Sequence, residues 1–171
     1  MQRIKKIYCG GVFSFDYKVQ DYKKLVKDDY RANILGDSEL LLHKQDFIRI
    51  SENLIYLGPF YFETDNMIDN NIISIEKKMI EECTDAIFLL DNGSCPGTIS
   101  ELIYASTVGK NIHIFYVKKQ DDEETESELH SPCWYPILFS KQLNYNTLIY
   151  SCDSKEDAKN KINNLISNLK V

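Results

Sequence analysis

Residues 83–117 read CTDAIFLLDNGSCPGTISELIYASTVGKNIHIFYV, and this stretch decides the fold. Residues 86–90 form a continuous apolar run of strand length, which is typical of a strand buried on both faces. Residues 98–108 carry apolar side chains at helical spacing, and Gly109 supplies a C-terminal stop. Residues 111–117 are again apolar. The stretch therefore predicts a strand, a loop, a helix and a second buried strand.

The same alternation continues on both sides of this unit. Three further strands are predicted, at residues 4–9, 54–57 and 147–150. Three further helices are predicted, at residues 21–29, from 65 or 66 to about 82, and at 154–169, where Ser154 and Asp157 have the spacing of a capping box. We therefore predict one α/β domain over residues 1–171, with a doubly wound, mostly parallel five-stranded sheet and helices on both faces (Rossmann/flavodoxin-like).

The composition argues against several classes of protein. With 171 residues, of which 43% are hydrophobic, the chain can bury a core, so global disorder is not expected. Its formal charge of −6 argues against a nucleic-acid polymer as its main partner, because phosphate backbones attract positive surfaces. No apolar run approaches the roughly 20 residues that cross a bilayer, so we expect no association with a membrane.

The cysteines and the N-terminus predict a protein of the cytoplasm. The five cysteines are an odd number without a Cys-x-x-Cys pair, and no histidine lies at a ligand-like spacing from another. We therefore expect reduced thiols, no metal site and no cofactor. The basic N-terminus is followed by an apolar stretch that Gly10, Gly11 and Asp16 interrupt, which is not the pattern of a signal peptide.

The candidate site lies where the strands end. In open parallel sheets, ligands bind beyond the carboxyl ends of the strands, at the point where the strand order reverses. Three such ends matter most: Gly10-Gly11, Gly58-Pro59-Phe60, and residues 91–97. At the third end, Gly97 and Thr98 begin a helix, so free backbone N–H groups face the crevice.

Glu101 is predicted in the first turn of that helix. Spacing alone leaves two interpretations open, a carboxylate that stabilises the helix dipole or a catalytic group in the crevice. Purely structural interpretations are open for other residues too. On these, Tyr8 belongs to the core, Asp85 caps a turn, and Asp16 and Asp91 are turn residues at strand ends.

Five segments of the chain combine into a more specific signature. They are CTDAIFLLD at 83–91, PGTISELIYA at 96–105, GK at 109–110, KIYCGG at 6–11 and, more weakly, GPF at 58–60. Together they resemble the nucleoside 2-deoxyribosyltransferase-like family. That family typically shows an Asp-Ala-hydrophobic strand, a Pro-Gly-Thr-x-x-Glu helix start, a later Gly-Lys and an Ile-Tyr-x-Gly opening. The resemblance covers most of residues 6–117, with poor correspondence between residues 16 and 53.

The resemblance implies an enzyme that cleaves the N-glycosidic bond of a (deoxy)nucleoside or nucleoside 5′-monophosphate. In the family, the glutamate matching Glu101 attacks the anomeric carbon, and the sugar then passes to a second base or to water. By the same resemblance, Asp85 orients or protonates the base and the phenol of Tyr8 holds Glu101. The implied substrate-binding residues are Gly10, Gly11, Phe13, Asp16, Pro59, Phe60, Asp91, Ser94, Cys95, Gly97, Thr98 and Trp134.

One departure from the family pattern bears on the substrate. Many members carry an aspartate six residues before the nucleophile, where it binds the sugar 5′-hydroxyl, and this chain has Cys95. Without that carboxylate, the helix N-terminus at Ser94, Gly97 and Thr98 can accept an anion such as a 5′-phosphate, which favours a nucleoside monophosphate and hydrolysis. Alternatively, Asp91 replaces the missing acid, or catalysis is lost.

The segment HSPCWYP at residues 130–136 follows an acidic loop. In the family, the matching region often reaches across a subunit interface, so the resemblance implies a homodimer or larger homo-oligomer. Trp134 in this segment is either a lid that stacks on the base or a hydrophobic anchor.

Three alternatives to this hypothesis stay open. A phosphoribohydrolase of the lonely-guy type uses a similar helix start, although this chain lacks its paired glycines before the threonine. An NAD glycohydrolase of the kind found in immune-signalling domains also uses a helical glutamate. A non-catalytic nucleotide-binding or signalling module keeps the fold without turnover, and Cys95 favours it.

Overall fold

A computed structural model describes residues 3–11, 29–42, 46–60, 70–91, 96–118 and 134–171. The strands in these ranges are β1 (Lys5–Gly11), β2 (Ile48–Arg49), β3 (Leu54–Gly58), β4 (Asp85–Leu90), β5 (Asn111–Val117) and β6 (Thr147–Cys152). The helices are α1 (Tyr30–Leu35), α2 (Asn70–Glu82), α3 (Pro96–Thr107), α4 (Trp134–Leu143) and α5 (Lys155–Leu169). A short 3-10 helix, Ser38–Leu41, follows α1.

The strands form one sheet in the order β2-β3-β1-β4-β5-β6. The five predicted strands all pair in parallel, which confirms the doubly wound, mostly parallel α/β fold. The sheet also has a sixth strand, because β2 adds an antiparallel edge to β3 that the prediction of five strands did not include. β2 forms because the chain folds back at residues 51–53, where the Ile50 amide donates to the Leu54 carbonyl at 2.9 Å.

The centre of the sheet is buried between two groups of helices. Ile7, Ile87, Ile112 and Ile114, on the three adjacent strands β1, β4 and β5, are fully inaccessible to solvent. α2 contacts α3 and α3 contacts α4, whereas α1 contacts α5. The apolar runs of these strands therefore supply the core, as expected of strands covered on both faces.

The helix ends follow their capping residues. Gly109 has a φ of 72°, in keeping with its predicted role as a stop after α3. Ser154 caps α5 by accepting from the Asp157 amide at 3.0 Å, as the predicted capping box requires. The Asp157 carboxylate accepts from the amide of Asp153, one residue before the cap, at 3.0 Å. The helix predicted at residues 21–29 lies outside the described residues, apart from residue 29. No helix in the described ranges is long and apolar enough to span a bilayer.

The strand order reverses between β1 and β4. From β1 the chain continues to β3, toward one edge strand, and from β4 it continues to β5, toward the other edge strand. Since β1 and β4 are parallel, their carboxyl ends at Gly11 and Leu90 open on the same edge. This edge is where the topology predicts a ligand crevice.

Candidate active site

Glu101 reaches from α3 to the end of β1. Its Oε2 atom lies 3.0 Å from the position that a Cβ atom on Gly10 would take, and that Cβ atom would also lie 2.5 Å from the ring of Phe88. Glycine at position 10 therefore leaves the space that the carboxylate needs. Because α3 begins at Pro96, two residues earlier than predicted, Glu101 lies in the second helical turn and not in the first. The helix dipole acts mainly within the first turn, so it does not account for this carboxylate.

A cavity of about 410 Å³ lies between α2 and α3, next to Glu101. One face of each helix lines it, with Ile73, Glu76, Lys77, Ile80, Gly97, Ser100, Glu101 and Tyr104. The volume falls within the range of about 300–1,000 Å³ that small-molecule sites occupy. Glu76 thus brings a second carboxylate to the same cavity as Glu101.

The two carboxylates disfavour each other's ionisation. Burial raises the pKa of Glu101 and the negative charge of Glu76 raises it further, to about 8, while Tyr8 and Arg31 act in the opposite direction. Burial also raises the pKa of Glu76, against the lowering effect of Arg31. At neutral pH the pair therefore retains a proton. A pair that holds one acid and one base in one cavity can carry out acid–base and nucleophilic chemistry.

Tyr8 lies on the same face of β1 as Gly10, two residues before it. It is fully buried, and its ring lies 6.3 Å from that of Phe88. Burial raises the pKa of Tyr8 well above its usual value, and the charges of Glu101 and Glu76 raise it further. Within the described part of the chain, no partner meets its hydroxyl in hydrogen-bonding geometry, although Glu101 is near enough to interact with it. The structure thus brings Tyr8 and Glu101 together.

A buried ion pair supports the end of β1 from the side of α1. Arg31 is fully inaccessible to solvent, and its Nε and Nη2 atoms donate to the two carboxylate oxygens of Asp29 at 2.8 and 2.7 Å. Its Nη1 atom donates to the Cys9 carbonyl at 3.3 Å, and the hydroxyl of Tyr30 donates to the Gly10 carbonyl at 2.8 Å. The strand end against which Glu101 lies is therefore fixed by two neighbouring residues of α1.

Asp85 lies at the amino end of β4, at the end of the sheet away from the ligand crevice. It is the first residue of β4 and pairs with Ile7, whereas Gly10 pairs with Phe88, three residues further along. At about 3.3 Å per residue this separates Asp85 from the level of Gly10 by about 10 Å. Asp85 accepts from the Thr84 hydroxyl at 2.6 Å and from Asn111 Nδ2 at 3.2 Å. The structure therefore does not bring Asp85 to Glu101, contrary to what the resemblance implied.

The other glycines of the predicted site lie at the crevice. Gly11 ends β1 beside Gly10, where an added Cβ atom would lie 3.2 Å from the ring of Tyr30. Gly97 lines the cavity together with Glu101. Three predicted site residues with small or absent side chains, Gly10, Gly11 and Gly97, thus shape the edge at which Glu101 lies.

The remaining described residues of the predicted site are Pro59, Phe60, Asp91 and Thr98, and none of them is shown in contact with Glu101. The Pro59 carbonyl accepts from the Tyr56 hydroxyl at 2.6 Å, and the buried ring of Phe60 packs edge-on against Tyr56. Thr98 is buried, and Asp91 forms an ion pair with Lys155 of α5 at 2.6 Å.

Some predicted site residues lie outside the described residues. They are Phe13, Asp16, Ser94 and Cys95, together with the side chain of Trp134, whose backbone begins α4. Among the residues that are described, no group of three or more His, Cys, Asp or Glu side chains could hold a metal ion.

Two residues of this site were missed by the sequence interpretation. Glu76 lies at i+4 from Ile72 and at i−4 from Ile80, so a carboxylate interrupts a row of apolar side chains on one face of this helix. The sequence alone could therefore have indicated Glu76 as a candidate site residue. Arg31 gave none, because the sequence around it predicted neither a helix nor a strand.

Comparison with known proteins bears on the fold. No protein-family model matches the sequence, and no curated protein matches it. Among solved structures, the chain is similar to the CMP N-glycosidase BcmB of Clostridium botulinum, with 15% sequence identity and a TM-score of 0.51 over 94% of this chain and 99% of that chain. At this identity the similarity shows a shared fold.

Proposed function

We propose that this protein is an enzyme that cleaves the N-glycosidic bond of a nucleoside or nucleoside 5′-monophosphate. The observation that carries the proposal is the pair of carboxylates, Glu101 and Glu76, that line one cavity, with Glu101 reaching Gly10 near the carboxyl end of β1. Glycoside cleavage commonly uses two carboxyl groups, one as nucleophile and one as acid and base. The fold shared with a CMP N-glycosidase supports the same assignment and makes nucleoside 5′-monophosphates the first substrate class to test.

In the proposed reaction, Glu101 is the nucleophile. The proton that Glu101 holds at neutral pH first passes to Glu76. The resulting Glu101 carboxylate attacks the anomeric carbon, the bond from that carbon to the base nitrogen breaks, and the electron pair leaves with the base. The negative charge of Glu101 stabilises the oxocarbenium-like transition state. A carboxylate oxygen of Glu101 then forms an ester bond with the anomeric carbon of the sugar. Tyr8, whose buried hydroxyl faces the carboxylate, orients Glu101 for this attack.

Glu76 takes the role of acid and base that the resemblance had implied for Asp85. Its proton passes to the departing base, and the resulting carboxylate then accepts a proton from a water molecule that attacks the anomeric carbon of the ester. This second step releases the sugar, frees Glu101 and returns the proton to Glu76. A second base in place of water would give transfer instead of hydrolysis.

The test is base release by the purified protein from CMP, dCMP, the other nucleoside monophosphates, the free nucleosides and NAD, followed by chromatography. We expect release from at least one nucleoside or nucleoside monophosphate, and loss of release in Glu101→Gln. Glu82→Gln on α2, whose half-exposed side chain faces Lys78, is the matched control and keeps wild-type activity. Micromolar binding of nucleotides without release would instead identify a binding module.

The covalent step has a direct readout. A substrate whose sugar carries fluorine at C2 slows hydrolysis of the ester, so the intact protein should gain the mass of the fluorinated sugar. Peptide mapping should place that mass on Glu101. A mass gain on Glu76 would exchange the two roles, and full turnover without any adduct would point to direct attack by water.

We also propose that the protein forms a homodimer through α4. This helix exposes Tyr135, Leu138 and Phe139, and the rings of Tyr135 and Phe139 stack at 5.9 Å. Adjacent exposed apolar side chains of this kind commonly mark an interface. Light scattering should give the mass of a dimer for the wild type and of a monomer for Phe139→Glu. A monomeric wild type would refute this proposal.

A further inference from the structure

The buried ion pair between Arg31 and Asp29 lies against β1, the strand whose end the proposed nucleophile reaches. A fully buried arginine is costly, because the guanidinium loses its hydration, and packing alone is usually served as well by an apolar side chain. Arg31 nevertheless occupies this position with a bidentate partner and a backbone acceptor. A buried charge with this cost calls for a role that an apolar side chain cannot fill.

The geometry connects Arg31 to Glu101 through β1. Arg31 donates to the carbonyl of Cys9, and the next residue along the strand is Gly10, against which the carboxylate of Glu101 lies. Tyr30 holds the carbonyl of Gly10 itself. The position of Gly10 relative to Glu101 is therefore set by the beginning of α1.

Arg31 also differs in sign from the groups around Glu101. Among the residues that the structure describes, Glu76 of α2 and Tyr8 of β1 are the titratable groups that face Glu101, and β4 contributes the apolar ring of Phe88. Glu76 raises the pKa of Glu101, whereas the charge of Arg31 lowers the pKa of Glu101, of Glu76 and of Tyr8. Among these groups, Arg31 carries the positive charge that favours negative charge in the site.

We propose that Arg31 is a positioning residue for the reaction at Glu101. Its guanidinium fixes the strand end on which the carboxylate rests, and its charge lets the pair of Glu76 and Glu101 carry a negative charge although both are largely buried. Asp29 holds the guanidinium in place and moderates its field. The inference rests on the proposed function for its catalytic meaning, but its physical content is a property of the carboxylates alone.

The experiment measures the titration of Glu101 directly, by NMR of protein labelled with ¹³C at the glutamate side-chain carboxyl, with Glu101→Gln to assign the signal. Three variants are compared: Arg31→Met, Asp29→Asn and Arg31→Lys. The first should move the pKa of Glu101 upward by about 1, since removal of a nearby opposite charge acts in that direction. The second removes the negative charge of Asp29 beside Arg31 and should move the pKa of Glu101 downward. The third keeps the charge and should restore a pKa close to that of the wild type.

The opposite signs separate this role from a purely structural one. Arg31→Met and Asp29→Asn both break the same buried pair, so loss of structure alone would shift the titration of Glu101 in the same direction in both variants or in neither, and that result would overturn the proposal. Thermal unfolding monitors the fold of each variant, and Arg31→Lys and Asp29→Asn decide the question if Arg31→Met does not fold. Opposite shifts in a protein that releases no base would refute the proposed function and leave this inference standing.

Discussion

Two carboxylates, one at each end of the strands of the same sheet, have opposite pKa shifts. Glu101, at the carboxyl ends of the strands, has a pKa that burial and Glu76 raise to about 8. Asp85, at the amino end of β4, is also buried, and burial alone would raise its pKa. Its interactions with His113 and Thr84, the charge of Lys5 and an Asn111 amide outweigh burial and lower it.

The difference lies in the partners of each carboxylate. Asp85 accepts from Thr84 and Asn111, and His113 Nε2 and Lys5 Nζ lie 3.5 and 3.8 Å from its oxygens. Within the part of the chain that the structure describes, Glu101 faces another acid and a buried hydroxyl that does not reach hydrogen-bonding geometry. A carboxylate whose charge is satisfied stabilises the fold, whereas one kept short of donors is available for chemistry. Burial alone therefore does not distinguish a carboxylate that stabilises the fold from one that takes part in chemistry.

The largest expected effect is on catalysis at Glu101. Because the proposed nucleophile is removed, Glu101→Gln should lower kcat by about 10⁴-fold or more in base-release assays. A variant that is folded by circular dichroism and loses less than tenfold would remove Glu101 from the role of nucleophile.

The same variant should change stability in a direction set by the raised pKa. The folded state keeps the Glu101 proton up to about pH 8, whereas the unfolded chain releases it near the usual value of a glutamate. In the wild type this carboxylate therefore costs stability progressively as pH rises from about 4 to about 8. Glu101→Gln should be more stable than wild type at pH 8 by about 4 kcal/mol in urea unfolding, with a smaller difference at pH 5. Equal stability at both pH values would contradict the raised pKa.

The second effect concerns Glu76 as the proton donor. Glu76→Gln should slow release of an unactivated base by about 10²–10³-fold, since general acid catalysis contributes on that scale. A substrate whose leaving group needs no proton should react almost as fast as with wild type. In the wild type, kcat/KM should fall above about pH 8 as the pair loses its last proton, and this fall should disappear in the variant.

The control for this experiment is Glu82→Gln on the same helix, which changes an exposed ion pair with Lys78 and leaves the cavity intact. It should reproduce the wild-type pH profile. If Glu76→Gln slows activated and unactivated substrates equally, Glu76 positions the substrate or Glu101 and is not the acid.

The third expected effect is a loss of stability when Asp85, at the amino end of β4, is replaced. Asp85→Asn leaves Thr84, His113 and Lys5 without their carboxylate and should cost about 1–3 kcal/mol at pH 7, with base release within a few-fold of wild type. Since the pKa of Asp85 is lowered in the folded state, its contribution is present above the pKa of an unfolded aspartate, near 4, and is lost as pH falls below it. The deficit should therefore shrink toward pH 2–3 in urea unfolding.

Asp153→Asn, which removes an exposed ion pair with Lys118, is the matched control and should cost less than about 1 kcal/mol. A folded Asp85→Asn variant without base release would return Asp85 to the catalytic role that the resemblance implied, and would break the contrast between the two edges.

The sequence predicted the fold better than the site, for a physical reason. The strands of the sheet centre carry their own signal, because a strand buried on both faces must be apolar throughout, as residues 86–90 are. β2 has no such signal, since two residues at an edge bury little and depend on the turn that follows them. Local sequence patterns therefore predicted the parallel strands of the core but did not predict β2 at the edge of the sheet.

The site depends on contacts between distant elements. Glu101 and Tyr8 were identified through the resemblance, and the structure places them together. Asp85 was assigned to the same site, although it precedes its strand and therefore lies at the edge away from the ligand crevice. Glu76 joins the site only because α2 packs beside α3, and Arg31 only because α1 covers the end of β1. No spacing along the chain encodes these packings directly.

The smallest expected effect concerns Tyr8, the hydroxyl nearest to Glu101. Because this buried hydroxyl has no hydrogen bond within the described residues, Tyr8→Phe should increase stability by up to about 1 kcal/mol in urea unfolding. Because the proposed reaction uses Tyr8 to orient Glu101, Tyr8→Phe should also reduce kcat, by about tenfold or less. Tyr56→Phe, whose hydroxyl donates to Pro59, is the control and should lose stability. If Tyr8→Phe loses as much stability as this control, the hydroxyl of Tyr8 is satisfied in solution, and Glu101 has a donor as Asp85 does.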